Sequence, residues 1–190
     1  MSDGNSPSLG PDGQADGALL AAFTAGSTEA FDQLVERHQA RLVRFASGLL
    51  RDRERAEDVV QESFLRLLRT PPALGSADEA GPWLFRVCRN LSYDLMKTES
   101  REQARRERLT VEETQAPDER SADAEVLALV RKEWGQLPAR EREALWLKVH
   151  EGMSYAQIGS VLGVKPGTVG WIVHEALNHL TQRLRTAQAL

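Results

Sequence analysis

Apolar residues recur every three or four positions along most of this chain, a spacing that predicts helices rather than strands. One apolar stripe runs through residues 29–50, and a second runs through RERAEDVVQESFLRLLRT (53–70). A third lies on GPWLFRVCRNLSYDLMK (81–97), whose inward positions are expected to be Trp83, Leu84, Val87, Leu91 and Leu95. The pattern predicts an all-α protein.

Two stretches interrupt this pattern. Residues 1–16 consist mainly of Gly, Ser, Pro, Asp and Asn and offer almost nothing to bury, which predicts a disordered tail. Residues 98–123 are charged and nearly devoid of large apolar side chains, which is typical of a flexible linker, although residues 97–108 can extend the preceding helix. The chain is therefore expected to form two small helical domains, at 17–97 and 124–190.

Residues 152–177, GMSYAQIGSVLGVKPGTVGWIVHEAL, predict two short helices joined by a tight turn. Ser154 and Gln157 have the spacing of a capping box at a helix start. Gly163 can supply a left-handed residue at the end of that helix, and Pro166 suits the first turn of the next one. This order is typical of a helix-turn-helix, whose second helix normally enters the DNA major groove, although an ordinary helical hairpin fits it too.

The same periodicity predicts the core of the second domain. A helix opened by Pro138 is expected to bury Ala144, Leu145, Leu147 and Val149. The two helices of the helix-turn-helix are expected to bury Ala156, Ile158, Val161, Leu162, Val169, Ile172, Val173, Ala176, Leu177 and Leu180.

Charge and cysteine content narrow the class of protein. The net charge is −4, and only residues 137–190 are basic, with 6 basic against 4 acidic side chains, so any DNA affinity must be local or depend on a larger partner. The single Cys88 excludes an internal disulfide and is expected to be a buried structural thiol in a reducing cytoplasm. No apolar run is long enough for a membrane span, and the N-terminus lacks a secretory signal.

Several groups of polar residues are candidate sites. The acidic side of the 53–70 helix is either a solvated face or a docking surface for a basic partner. The outer face of the 81–97 helix combines cations, an amide and a tyrosine, as do surfaces that bind single-stranded nucleic acid, or else it is a plain exposed helix. His38 is expected to be hydrogen-bonded on an apolar stripe rather than a ligand. With no phosphate loop, paired catalytic carboxylates or metal-spaced ligands, the sequence predicts no enzyme, metal or cofactor.

Three stretches together carry a specific resemblance: AEDVVQESFLRLLR (56–69), WLFRVCRNLSYDLM (83–96) and LPAREREALWLKVHEGMSYAQIGSVLGVKPGTV (137–169). They resemble the extracytoplasmic-function (ECF) sigma factors of bacteria, compact sigma factors that retain only domains two and four. The match covers residues 18–97 and 124–186 in the family's order. It implies a transcription initiation factor that binds core RNA polymerase, brings it to promoter DNA, and is restrained by an anti-sigma factor.

The resemblance also implies roles for individual residues. The family's docking surface for the clamp helices of the polymerase β′ subunit corresponds to Glu57, Asp58, Gln61 and Glu62. The part that melts and reads the minus-ten element corresponds to Leu74, Ser76, Trp83, Arg86, Asn90, Tyr93 and Lys97. Domain four is expected to contact the β-flap and to read the minus-thirty-five element through Lys165, Thr168, Trp171 and His174.

The recognition helix departs from the family pattern. The family typically continues from GTV into a Lys-Ser-Arg run and a basic segment, whereas this chain has no Arg or Lys between Lys165 and Thr181. Cations make most phosphate contacts and the commonest base contacts. Two interpretations follow: either Trp171 and its neighbours touch DNA, or Trp171 and Ile172 form an exposed apolar patch that binds a protein regulator while domain two docks on polymerase.

Overall fold

A computed structural model describes residues 16–72, 80–106 and 122–188 of the protein. These residues form eight helices and no strand, which confirms the all-α prediction. Contacts divide the chain into two compact units, with the division between Ala104 and Arg105. The positions predicted at Leu74 and Ser76 lie outside the described residues, as do residues 1–15 of the tail predicted at 1–16. Of the linker predicted at 98–123, residues 98–106 and 122–123 are helical and the rest lies outside the described residues.

The first unit contains α1 (Asp16–Thr24), α2 (Thr28–Leu50), α3 (Arg53–Arg69) and α4 (Ala80–Arg106). Ser27 caps α2 by accepting a hydrogen bond from the backbone N–H of Ala30, and Asp52 caps α3 in the same way. Between them Arg51 adopts a left-handed conformation, with φ 55°, and so ends α2. These caps explain why two long helices meet within a two-residue turn.

The buried side of α4 differs from the predicted one. Over residues 83–101 of α4, Leu84 is buried as expected, but the other fully buried positions are Phe85, Cys88 and Ser92, whereas Trp83, Val87, Leu91 and Leu95 are only partly buried. Phe85 packs edge-on against Phe45 of α2, with ring centroids 5.3 Å apart. Helical periodicity allows two neighbouring stripes on α4, and contact with α2 selects the one that carries Phe85.

Asp16 also departs from the prediction. It was assigned to the disordered tail, yet it is the first residue of α1 and is buried. Burial of a carboxylate is costly unless it is paired. Asp16 has such partners in Arg37 and His38 of α2.

The second unit contains α5 (Ala122–Gly135), α6 (Ala139–Val149), α7 (Tyr155–Leu162) and α8 (Pro166–Gln188). The helix-turn-helix prediction is confirmed in α7 and α8. Ser154 and Gln157 form both hydrogen bonds of a capping box, and Gly163 ends α7 with φ 68°. Gly159 is a further requirement of the turn, because a Cβ there would lie 2.6 Å from the carbonyl oxygen of Val164.

Four predicted core positions of this unit prove to be wrong or incomplete. Val149 is 64% exposed and Leu177 is 48% exposed, Ala156 is also exposed, and Leu180 is only partly buried. Val149 is the last residue of α6, and beyond it the chain turns so that Met153 becomes buried instead, its N–H donating to the carbonyl of Leu147. A helix that ends early thus leaves its last apolar side chain in solvent.

Candidate functional site

The acidic surface of α3 is exposed as predicted. Glu57, Asp58 and Gln61 are exposed and Glu62 is partly so. Glu57 accepts a 2.9 Å hydrogen bond from Arg53, and Glu62 accepts a 3.2 Å bond from Arg66.

Both pairs lie along one helix with a spacing of four residues and face solvent. Exposed pairs of this kind contribute only about 0.3–0.5 kcal/mol each. The two carboxylates can therefore exchange these partners for the cations of another protein at little cost.

The polar face of α4 is presented to solvent beside α3. Arg86, Asn90 and Lys97 are exposed, and Tyr93 is partly buried with the guanidinium of Arg89 lying 4.7 Å from its ring centroid. Successive spacings of four, three and four residues place Arg86, Asn90, Tyr93 and Lys97 on one side of the helix. Trp83 is partly buried at the beginning of the same helix.

The opposite side of α4 is fixed in the core of the first unit. The Ser92 hydroxyl donates to the carbonyl of Cys88 at 2.9 Å, and Cys88 itself is fully buried. Burial raises the pKa of the Cys88 thiol to about 12, against the opposing effect of hydrogen bonds with Ser63 and Ser92. The thiol is thus protonated and structural, as predicted, and offers no nucleophile.

The proposed recognition face of α8 is exposed but carries little charge. Lys165, Thr168, Trp171 and His174 are all exposed, with Trp171 at 63%. Ile172 is only 3% exposed, so the predicted Trp171–Ile172 patch is wrong, because adjacent helical residues point about 100° apart.

The described residues were also compared with the requirements of a histidine site, a metal site and a membrane span, and His179 takes part in a contact within the second unit. His179 on α8 bonds through Nδ1 to Glu141 on α6 at 2.8 Å. Within residues 16–72, 80–106 and 122–188, no three His, Cys, Asp or Glu side chains are grouped so as to hold a metal ion. Over the same residues, no helix combines the length and hydropathy that a membrane span requires.

Comparison with known proteins places both units in one family. The sigma-70 region 2 model matches residues 34–102, and the sigma-70 region 4 model matches residues 128–180. The chain is 33% identical over 176 residues to the ECF RNA polymerase sigma factor SigL of Mycobacterium tuberculosis, an alignment that covers 88% of this chain and 96% of SigL. This chain is an ECF sigma factor.

Other known proteins and solved structures are similar to this chain as well. The RNA polymerase sigma factor CarQ of Myxococcus xanthus is 28% identical, over 87% of this chain and 95% of CarQ. The structure of the sigma factor RpoE in complex with the anti-sigma factor NepR from Bartonella quintana matches with a TM-score of 0.67 and 27% identity, covering 83% of this chain and 98% of that one. CnrH, solved in complex with the cytosolic domain of CnrY, matches with a TM-score of 0.66 and 26% identity, covering 90% of this chain and 97% of that one.

Membership establishes the general function of the chain. It is a sigma factor that binds core RNA polymerase and directs promoter-specific transcription initiation. Sigma factors as a family are not enzymes, and their residues act by binding.

Sequence reasoning did not single out Tyr155 or Lys148 as candidate residues. The ring of Tyr155, at the start of α7, lies beside Gly170 of α8, where a Cβ would be 3.4 Å from Tyr155 Cε2. Lys148 Nζ lies 5.1 Å from the centroid of the same ring. An exposed aromatic residue at a helix start, opposite a glycine in the next helix, was the available signal. Lys148 therefore places a cation near α8, which carries few cations of its own.

Proposed function

We propose that this sigma factor docks on the β′ clamp helices of core RNA polymerase through the acidic surface of α3 and reads a minus-ten element through α4. The observation that carries the proposal is the juxtaposition of the two surfaces in one unit. Arg55 of α3 forms an ion pair with Glu99 of α4, and the docking residues and DNA-facing residues are both on the solvent side of their helices. Binding of polymerase at α3 would then bring α4 to the promoter.

The docking part is tested by charge reversal. Glu57→Lys combined with Asp58→Lys is expected to weaken binding to core polymerase at least tenfold, since close like-charge contacts at an interface cost on the order of several kcal/mol. Glu36→Lys on α2 is the matched control, because Glu36 is also an exposed helical carboxylate. Equal affinities of the two variants for core polymerase would contradict the proposed docking surface.

The minus-ten part assigns single-stranded DNA to Trp83, Arg86, Asn90, Tyr93 and Lys97, together with Leu74 and Ser76. It is supported by the combination of cations, an amide and aromatic rings along α4, since stacking and phosphate contact together are the usual means of holding unpaired bases. Asn90→Ala is expected to reduce binding of a single-stranded minus-ten oligonucleotide by the holoenzyme while leaving core polymerase affinity unchanged. Unaltered oligonucleotide binding would argue against this role.

For the second unit we propose contact with the polymerase β-flap and with upstream DNA through Lys165, Thr168, Trp171 and His174. The exposed Trp171 would offer apolar contact to thymine methyl groups. A second function, binding of a protein regulator by the same face, is favoured by one observation: Glu175 is the only charged residue between Pro166 and Gln182. Sequencing of DNA retained by the reconstituted holoenzyme separates the two, because a paired motif supports DNA contact and a minus-ten motif alone supports protein binding.

We further propose that the protein works in the cytoplasm, beside RNA polymerase, that it catalyses no reaction itself, and that an anti-sigma factor restrains it. The likeness to RpoE and CnrH, both solved with a partner, supports the anti-sigma factor. Purification of the tagged protein from its own cells, with and without polymerase, would reveal such a partner as a stoichiometric band, and its consistent absence under all growth conditions would contradict this part.

A further inference from the structure

Three helices of the first unit meet at one buried polar point. Asp16 at the start of α1 accepts from Arg37 through one carboxylate oxygen and lies 2.7 Å from His38 Nε2 through the other. The side chains of Asp16 and His38 are 3% and 1% exposed, and that of Arg37 is 8% exposed. Arg37 thus pairs with the Asp16 carboxylate, and the His38 ring is hydrogen-bonded to the same group.

The third helix at this point is α4. Its first three residues, Ala80, Gly81 and Pro82, are all buried. A Cβ on Gly81 would lie 3.2 Å from His38 Cε1 and 3.4 Å from Asp16 Oδ2, so a larger residue at this position would press on the Asp16–His38 pair. The first turn of α4 thus lies close to a pair of side chains from α1 and α2.

We infer that the Asp16–His38 pair is a positioning element for promoter opening, because it sets the start of the helix that carries the minus-ten residues. This inference rests on the proposed role of α4. Trp83 and Arg86 follow within the next two turns of the same helix, so a shift of its first turn moves them directly. Neither Asp16 nor His38 contacts DNA in this scheme, and both act through Gly81.

The proposed docking surface lies on α3, whereas the cluster joins α1, α2 and the start of α4. Farther along α4, Phe85 packs on α2, and Glu99 is paired with Arg55 of α3. The inference therefore predicts two different outcomes when the contact between Gly81 and the Asp16–His38 pair is disturbed. Promoter opening is impaired, whereas affinity for core polymerase is preserved. A residue that merely supported the fold would lower both together.

The test compares Gly81→Ala with Gly48→Ala in the full holoenzyme. Gly48 is the matched control, since it is also helical and a Cβ there would meet nothing within 4 Å. Gly81→Ala is expected to slow opening of a promoter, followed by a fluorescent base at minus ten, by about threefold, because the added Cβ would lie 3.2 Å from His38 Cε1 and one of the two groups must shift. Affinity for core polymerase should match that of Gly48→Ala.

A second variant keeps the inference falsifiable if Gly81→Ala folds poorly. His38→Gln retains a donor for Asp16 and is expected to slow opening less than His38→Ala, again at unchanged polymerase affinity. Unchanged opening in both His38→Ala and Gly81→Ala would overturn the inference, as would a parallel fall in opening and polymerase affinity. Failure of the proposed function is separate: it would appear as normal oligonucleotide binding by Asn90→Ala, whatever the result at Gly81.

Discussion

The two helices that we propose to face DNA, α4 and α8, differ in their exposed charge and in what holds them in place. α4 has cations on its exposed side, and beneath it lie buried polar groups, the Asp16–His38 pair and the Ser63–Cys88–Ser92 group. α8 presents an exposed side without lysine or arginine from Gly167 to Thr181 and is held by apolar contacts and a glycine-dependent turn.

This difference determines how each unit could gain affinity for DNA. Cations on α4 can neutralise phosphate, which gives strong but salt-sensitive binding. The uncharged face of α8 can gain affinity only from shape, hydrogen bonds and apolar contact. The first turn of α4 lies against a buried pair of polar side chains, whereas the helix-turn-helix depends on close packing of backbone.

The largest expected effect concerns the buried cluster of Asp16, Arg37 and His38. Asp16→Ala should lower the free energy of unfolding by about 3 kcal/mol, since removing one member of a buried ion pair leaves its partners uncompensated. Urea unfolding of the full chain, followed by circular dichroism, measures this, with the exposed Asp32→Ala as the control. If Asp16→Ala lowers the free energy of unfolding no more than Asp32→Ala does, the cluster contributes nothing to stability.

The corresponding change in the second unit is Gly159→Ala. Its Cβ would lie 2.6 Å from the backbone carbonyl oxygen of Val164, so we expect the free energy of unfolding to fall by about 2 kcal/mol from overpacking. Gly135→Ala is the matched control, because a Cβ at that position meets nothing within 4 Å. Equal unfolding midpoints for the two variants would mean that the turn adapts and is not the determinant proposed here.

Salt dependence tests the contrast in charge between the two helices. Arg86→Ala should lower the slope of log affinity against log salt by about 0.7, the value for one contact with single-stranded DNA. Trp171→Ala should weaken binding without a change in slope, because tryptophan releases no counterion. Holoenzyme binding to a pre-melted promoter across a salt series measures both, and Arg44→Ala on α2 provides an exposed arginine as control. A changed slope for Trp171→Ala would contradict the contrast.

A smaller effect is expected at Gly170. Glycine within a helix costs up to about 1 kcal/mol relative to alanine, and a Cβ here would make only ordinary contact with Tyr155, at 3.4 Å. Gly170→Ala should therefore raise the free energy of unfolding by a few tenths of a kcal/mol to about 1 kcal/mol. Destabilisation, measured by urea unfolding, would indicate that the Tyr155 ring needs the bare backbone.

The finest test of the contrast between the two units is the dependence of stability on acid pH, because this dependence arises from Asp16 in the first unit. Burial by itself raises the pKa of Asp16, but hydrogen bonds and charge from His38 and Arg37 outweigh it, so the pKa lies below its usual value. Its stabilising contribution is therefore complete above about pH 4, the range of an unfolded Asp, and is lost as the pH falls through the folded pKa. Wild-type protein should lose more stability than Asp16→Asn on acidification below that point. Parallel curves would contradict the assignment.

Much of the fold was predictable from local signals. The capping box at Ser154, the left-handed Gly163 and the proline at the start of α8 are each decided by neighbours within a few residues, and all three are present. The exposure of Glu57, Asp58 and Gln61 was likewise predictable, since charge opposite an apolar stripe faces solvent. Their roles in binding polymerase stay predictions.

Sequence alone determined the helices, their caps, the helix-turn-helix and the near absence of charge on its second helix, because these depend on residue type and short spacing. Tertiary structure alone decided that Phe85 rather than Val87 is buried, that Val149 is in solvent, and that Asp16 belongs to the core. Phe85 and Asp16 depend on partners distant in sequence, Phe45 and His38, whereas Val149 depends on the turn after α6, which buries Met153 four residues later. Periodicity describes one helix at a time, whereas burial is a property of the helices packed together.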